Sequence, residues 1–283
     1  MRDRPLSPAL RSLTRRRWPL FAAQQCAILA SGALVLHGIR HFTGRTLHGG
    51  VDAIGPLDGA VVVATHGVHV GLTLLLDRVA RGQSRAPLGL ALSSQRILES
   101  FAGAAGALVL ASFPWLLALA SGHAHVSETI RAHPEAWRAP SIVLGNVVLV
   151  LGCVVEEITS RGFPMQLWAN RRLWYRALVP SLAFAVLHLV DEPFDPATFA
   201  FRVFAGVTLS MLYAATGNIW LAAGVHVGIN AASLVSSGAW HYGALFAIRG
   251  NEPVPNWVSA LLMAATSVTI YRVLSRRRGV ETR

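Results

Sequence analysis

The sequence predicts an all-α fold, a polytopic transmembrane helix bundle of about eight spans, and three observations carry that expectation. Of the 283 residues, 53% are apolar and only 14% charged, where an ordinary soluble domain carries about 45–50% and about 25%. Split at its charges and Pro/Gly clusters, most of the stretch 18–274 falls into apolar runs of about 17–25 residues, the length that crosses a hydrocarbon core of about 30 Å. The charges, finally, sit between those runs. All 25 basic residues are arginine, and the formal net charge is +11. Arg2, Arg4, Arg11, Arg15, Arg16 and Arg17 precede the first run; Arg272, Arg276, Arg277, Arg278 and Arg283 follow the last. By the positive-inside rule both termini are cytoplasmic, which requires an even number of crossings of an integral cell membrane. The same clustering accounts for the basic balance without nucleic acid as a partner, and the composition excludes a disulfide scaffold or a disordered chain.

The elements follow in order. A first span over 18–39, behind a long Arg-rich leader with no clear small-residue cleavage site, reads as a retained helix and not a signal peptide. A Gly/His/Arg loop over 40–50 leads to the apolar stretch 51–76, which holds His66 and His69. Asp77, Arg78, Arg81 and Arg85 then mark a cytoplasmic loop. Residues 88–99 mix apolar and polar side chains at helical spacing, as an interfacial or partly inserted helix would, and lead into the span 101–120. The polar stretch 121–140 reads as an external loop. Apolar residues 141–155 run straight into Glu156 and Glu157; Arg161, Arg171, Arg172 and Arg176 mark a cytoplasmic connection; and 177–190 recrosses to a loop bearing Asp191, Glu192 and Asp195. The runs 199–215 and 219–235 are joined only by Thr216, Gly217 and Asn218, a tight helical hairpin. The span 257–274 closes the chain. Gly103 with Gly106, and Gly224 with Gly228, offer faces for close helix packing, the second pair at small-xxx-small spacing. Cys26 and Cys153 lie inside apolar runs without a CxxC motif and read as small core residues.

Ionisable groups inside a hydrocarbon layer cost a few kcal/mol each on insertion scales, so they mark candidate functional positions. Glu157 and Arg161, four residues apart, can pair on one helical face, whereas Glu156 is rotated by about 100° and points elsewhere. Phe184 and His188 repeat the four-residue spacing on another run, and His226 with Asn230 repeats it on a third. Two stacked polar side chains in hydrocarbon need partners. A carboxylate, two imidazoles and an amide from three spans can converge in a bundle core, where a low dielectric makes a carboxylate a better base. No serine or cysteine stands in a recognisable nucleophile setting, and GxGD and HExxH are absent, so the inventory points to activated water.

The ordered set EExxxR, FxxxH and HxxxN, on Glu156 to Arg161, Phe184 to His188 and His226 to Asn230, resembles the CPBP family of membrane proteases. That family includes the type II CAAX prenyl endopeptidases and bacterial proteins linked to bacteriocin self-immunity. The resemblance covers roughly 87–237. It divides the chain into a cytoplasmic tail (1–17), N-terminal spans outside the resemblance (18–86), a catalytic core (87–237), and a last span with an Arg-rich tail (238–283). It implies peptide-bond hydrolysis in a membrane-associated or lipid-modified peptide. Glu156 with His188 would deprotonate water, and His226 and Asn230 would donate to the developing oxyanion. Glu157 and Arg161 would hold the helix end and orient Glu156, with Phe184 packing beside His188. The reaction would need no cofactor, or else Zn2+ on Glu156, His188 and His226, a donor set of the kind zinc hydrolases use. His66 and His69 lie outside the resemblance and read as buried hydrogen-bonding groups. An inactive scaffold or self-immunity protein of the same fold, or an ion-coupled transporter, are the alternatives.

Overall fold

Inside a bilayer every backbone N–H and C=O must be satisfied within its own segment, so apolar runs become helices. The computed structural model describes residues 17–43, 56–81, 88–134, 140–190, 193–240, 243–250 and 253–277. Residues 1–16 and 278–283 of the Arg-rich tails, most of the 40–50 loop, Arg85, and Asp191 with Glu192 lie outside the described residues. In chain order the elements are α1 (Arg17–Thr43), α2 (Pro56–Arg81), α3 (Ser94–Ala120), β1 (Ala124–Thr129) and α4 (Pro140–Glu157). A π-helical turn (Ile158–Gly162) and the short α5 (Phe163–Leu167) continue α4. Then come α6 (Leu173–Leu187), α7 (Pro196–Thr216), α8 (Trp220–Ser236), β2 (Phe246–Gly250) and α9 (Pro253–Arg277). Counting α4, the π turn and α5 as one rod, the described residues form eight apolar helices. Five of them, over Gly59–Ala80, Ser94–Ala120, Ile142–Leu167, Pro196–Thr216 and Asn256–Arg276, are long and apolar enough to cross a membrane; α6 and α8 are shorter. The chain is an integral membrane helix bundle.

Three stretches differ from the expectation. Asp77, Arg78 and Arg81 continue α2 to its end instead of forming a loop. Residues 88–92 are not helical; Ser93 caps α3, its hydroxyl accepting from Arg96 N at 3.3 Å, and the helix then runs unbroken to Ala120. No separate interfacial helix stands before the span. Part of the 121–140 loop is strand, because β1 pairs antiparallel with β2, Ala124 opposite Gly250 and Thr129 opposite Phe246, with a bulge between Val126 and Glu128.

The hairpin between α7 and α8 forms where its residues suggest. Gly217 ends α7 in the left-handed region at φ +69°, its N–H reaching Tyr213 O at 2.8 Å, a conformation glycine adopts without Cβ strain. Asn218 Oδ1 accepts from Trp220 N at 3.0 Å and starts α8. The glycine pair then seats α8 on α3. A Cβ on Gly224 would lie 2.0 Å from Ser100 O, and one on Gly228 would lie 2.2 Å from Ala104 O. Gly103 faces Leu221 across the same contact, but Gly106 has no neighbour within 4 Å and takes no part. On the far side α7 and α9 are joined through Thr208 Oγ1 and Ser267 Oγ, 2.8 Å apart. At the end of α5, Trp168 is buried against Phe21 (centroids 4.8 Å) and Trp18 (5.3 Å) of α1. Such aromatic pairs add about 0.5–1.5 kcal/mol each beyond area burial.

Candidate active site

The site grows from the end of α4. Adjacent helical residues diverge by about 100°, and here the divergence separates two carboxylates. Glu157 is fully buried, while the Glu156 side chain keeps 40% of its surface exposed. The π turn that follows holds Arg161, also fully buried, whose Nη1 donates to Glu157 Oε1 at 2.9 Å. Single π turns recur at functional positions because they re-aim side chains within a continuous helix. Glu157 Oε1 also accepts from His226 Nδ1 on α8, at 2.9 Å. Arg161, Glu157 and His226 therefore form one buried chain. The Arg161 guanidinium lies over the Phe184 ring, 4.8 Å from its centroid, a cation–π contact strengthened by desolvation.

That chain sets the state of His226. With Nδ1–H given to a carboxylate, Nε2 carries the lone pair in the neutral ring, and Nε2 lies 3.6 Å from Glu156 Oε2. His188 is fixed similarly. It ends α6, where helix carbonyls lack partners, and its Nδ1 donates to Phe184 O at 2.9 Å, leaving Nε2 as the acceptor. Phe184 packs edge-on against both imidazoles, at 4.5 Å to His188 and 6.0 Å to His226. Glu156 and His188 line one cavity of about 200 Å³, whose walls also include His66 and His69 of α2 and Ile28 and Gly32 of α1.

Glu156, His188, His226 and Asn230 thus meet around one locality, as the motifs suggest, but three details differ from expectation. Glu157 does not merely hold a helix end: it reaches across the bundle to orient His226. Asn230 Nδ2 is engaged with Cys153 Sγ at 3.3 Å. Cys153 sits one turn before the two glutamates on the same helix, a spacing that could have pointed to it. Cys26 is exposed on α1 and not part of a core. His69 is hydrogen-bonded to Ser31 Oγ at 2.8 Å, as a buried polar group should be, whereas His66 Nδ1 is buried without a hydrogen-bond partner among the described residues. For zinc the donor types are right, but among the described residues no three His, Cys, Asp or Glu side chains converge on one point. Glu156, His188 and His226 therefore do not fit a metal ion as they stand.

This integral membrane helix bundle thus holds a buried arginine–carboxylate–imidazole chain beside a second carboxylate that lines a cavity. Residues 137–232, about a third of the chain, match the family model described as type II CAAX prenyl endopeptidase Rce1-like. That segment is similar to the CAAX-protease (CPBP) family, as its three motifs suggest. All three motifs lie inside the matched segment; α1, α2, α3, both strands and α9 lie outside it. A comparison with curated proteins returned no match.

Proposed function

We propose that the chain is an intramembrane endopeptidase that hydrolyses a peptide bond by carboxylate-activated water. One observation carries this reading: Glu156 faces the free Nε2 of His226, whose other nitrogen is held by the buried Glu157. Glu156, with His188 Nε2 beside it, takes a proton from water as the oxygen attacks the scissile carbonyl. The proton passes over the 3.6 Å to His226 Nε2, and the Glu157 carboxylate stabilises the resulting imidazolium, as the acid of a catalytic triad does. His226 then has an Nε2–H with which to stabilise the oxyanion and protonate the leaving amine. Asn230 contributes its amide once it leaves Cys153 Sγ, a weak acceptor that gives way easily. The mechanism routes no step through a metal.

The arginine-flanked ends favour both termini on the cytoplasmic side of the cell membrane, with Glu156 near the inner face and the substrate a membrane-embedded or lipid-modified peptide presented from that side. The test is Glu156→Gln. Purified variant protein should fold, elute and melt like the parent while precursor cleavage stops, and cleavage by the parent should survive chelation with no stoichiometric zinc by elemental analysis. Undiminished turnover by the Glu156→Gln protein overturns the assignment.

A further inference from the structure

Few groups around the chamber can donate a hydrogen bond. An ionised Glu156 only accepts hydrogen bonds. His188 spends its N–H on Phe184 O and His226 spends its own on Glu157, so each offers the chamber an acceptor nitrogen. His69 is bound to Ser31, and one N–H of the Asn230 amide is bound to Cys153. A peptide carbonyl entering this cavity needs a donor, and before any proton has moved few are free: the second N–H of Asn230 and the hydroxyl of Ser160, which also lines the cavity. His66 is the remaining one. It lines the same cavity, it makes no hydrogen bond among the described residues, and its Nδ1 is buried and unpaired. Its position is also specific. A Cβ on Gly152 would lie 3.2 Å from His66 Nε2, and Gly152 stands one helical turn before Glu156, on the same face of α4. The missing side chain at 152 lets the imidazole lie against α4 directly beneath the carboxylate.

We propose that His66, on a helix outside the matched segment, is a substrate-contacting residue: it donates a hydrogen bond to the carbonyl oxygen of the substrate and holds that carbonyl over Glu156. Its Nδ1 is closed off in the wall, so Nε2, the nitrogen that lies against α4, is the one that donates. The inference rests on the hydrolase reading above.

The experiment uses the full-length chain in cells, comparing the parent, Glu156→Gln, His66→Phe and His66→Gln. Phe keeps the ring shape without a donor; Gln restores one. Membrane proteomics of the Glu156→Gln cells identifies the precursors that accumulate, and pulse-chase then follows the clearance of those precursors in each strain. Loss of one transition-state donor slows turnover by about 10²–10³, so His66→Phe should leave the same precursors uncleared, at unchanged protein level and melting temperature. His66→Gln should recover at least about a tenth of the parental rate, a rescue that a purely structural role for the ring would not give. Clearance by His66→Phe at the parental rate overturns this inference and leaves the role of Glu156 standing. Equal failure of both His66 variants overturns it too, because the donor is then not what matters. If no precursor accumulates in Glu156→Gln cells, the hydrolase reading falls and this inference falls with it.

Discussion

Removing Arg161 alone should harm the protein more than removing the ion pair it belongs to. Arg161 and Glu157 are both fully buried and bonded at 2.9 Å. Arg161→Met leaves the Glu157 carboxylate in the bundle with His226 as its remaining partner, and breaking one side of a buried pair costs about 3–5 kcal/mol. For a chain of this size that corresponds to a fall of about 6–20 °C in melting temperature. The pair itself is imperfectly satisfied, since Glu157 Oε2, Arg161 Nε and Arg161 Nη2 have no hydrogen-bond partners among the described residues. Replacing both members with neutral groups therefore costs much less than the two single changes added together. A double-mutant cycle on Glu157→Gln and Arg161→Met, read as thermal unfolding in one detergent, should give a coupling of about 1–3 kcal/mol. Two results refute the reasoning: an Arg161→Met protein within about 0.5 kcal/mol of the parent, the range of neutral surface substitutions, or a double variant equal to the sum of the singles. Either would mean that water or lipid already solvates these groups.

The glycine contacts separate two substitutions of identical chemistry. Gly228→Ala drives a Cβ to 2.2 Å from the Ala104 carbonyl and should destabilise by about 1–3 kcal/mol, as overpacking does. Gly106→Ala meets nothing within 4 Å and should be neutral or stabilising by up to about 1 kcal/mol through helix propensity; equal melting shifts for the two would disprove the packing argument. At the start of α7, hydrogen bonding by Thr198 holds the Asp195 carboxyl below the usual aspartate range. A lowered folded value means stability present above the unfolded value of about 3.9 and lost as pH falls through the folded one. The melting difference between parent and Asp195→Ala should thus be full at neutral pH and shrink in acid; a difference independent of pH would exclude the cap as its source.

Local arithmetic explains what could be read in advance. The opposed directions of Glu156 and Glu157, the Glu157–Arg161 pair, the Gly217 turn and the packing face of Gly224 and Gly228 all depend on residues within about one helical turn, where the 3.6-residue period fixes geometry. The remainder depends on distant partners. His226 finds Glu157 across 69 positions and Asn230 finds Cys153 across 77, and no periodicity encodes which faces of two helices meet. The β1–β2 pairing likewise joins segments separated by most of the bundle. Cys26 illustrates a different limit. In a membrane protein apolar residues cover the lipid-facing surface as well as the interior, so apolarity alone does not separate core from perimeter.

Helices α1 and α2, outside the matched segment, are bound to the neighbourhood of the two glutamates by the same π turn that carries Arg161. A π turn loosens the regular i→i−4 ladder, and a carbonyl released inside a bundle must find another donor. Gln24 of α1, 1% exposed, supplies it: its Nε2 donates to Thr159 O at 2.9 Å and to Thr73 Oγ1 of α2 at 3.1 Å. One amide thus ties α1 and α2 to the turn immediately after Glu156 and Glu157. Since α1 and α2 also wall the cavity that Glu156 lines, the same amide links the backbone distortion that carries Arg161 to that side of the cavity.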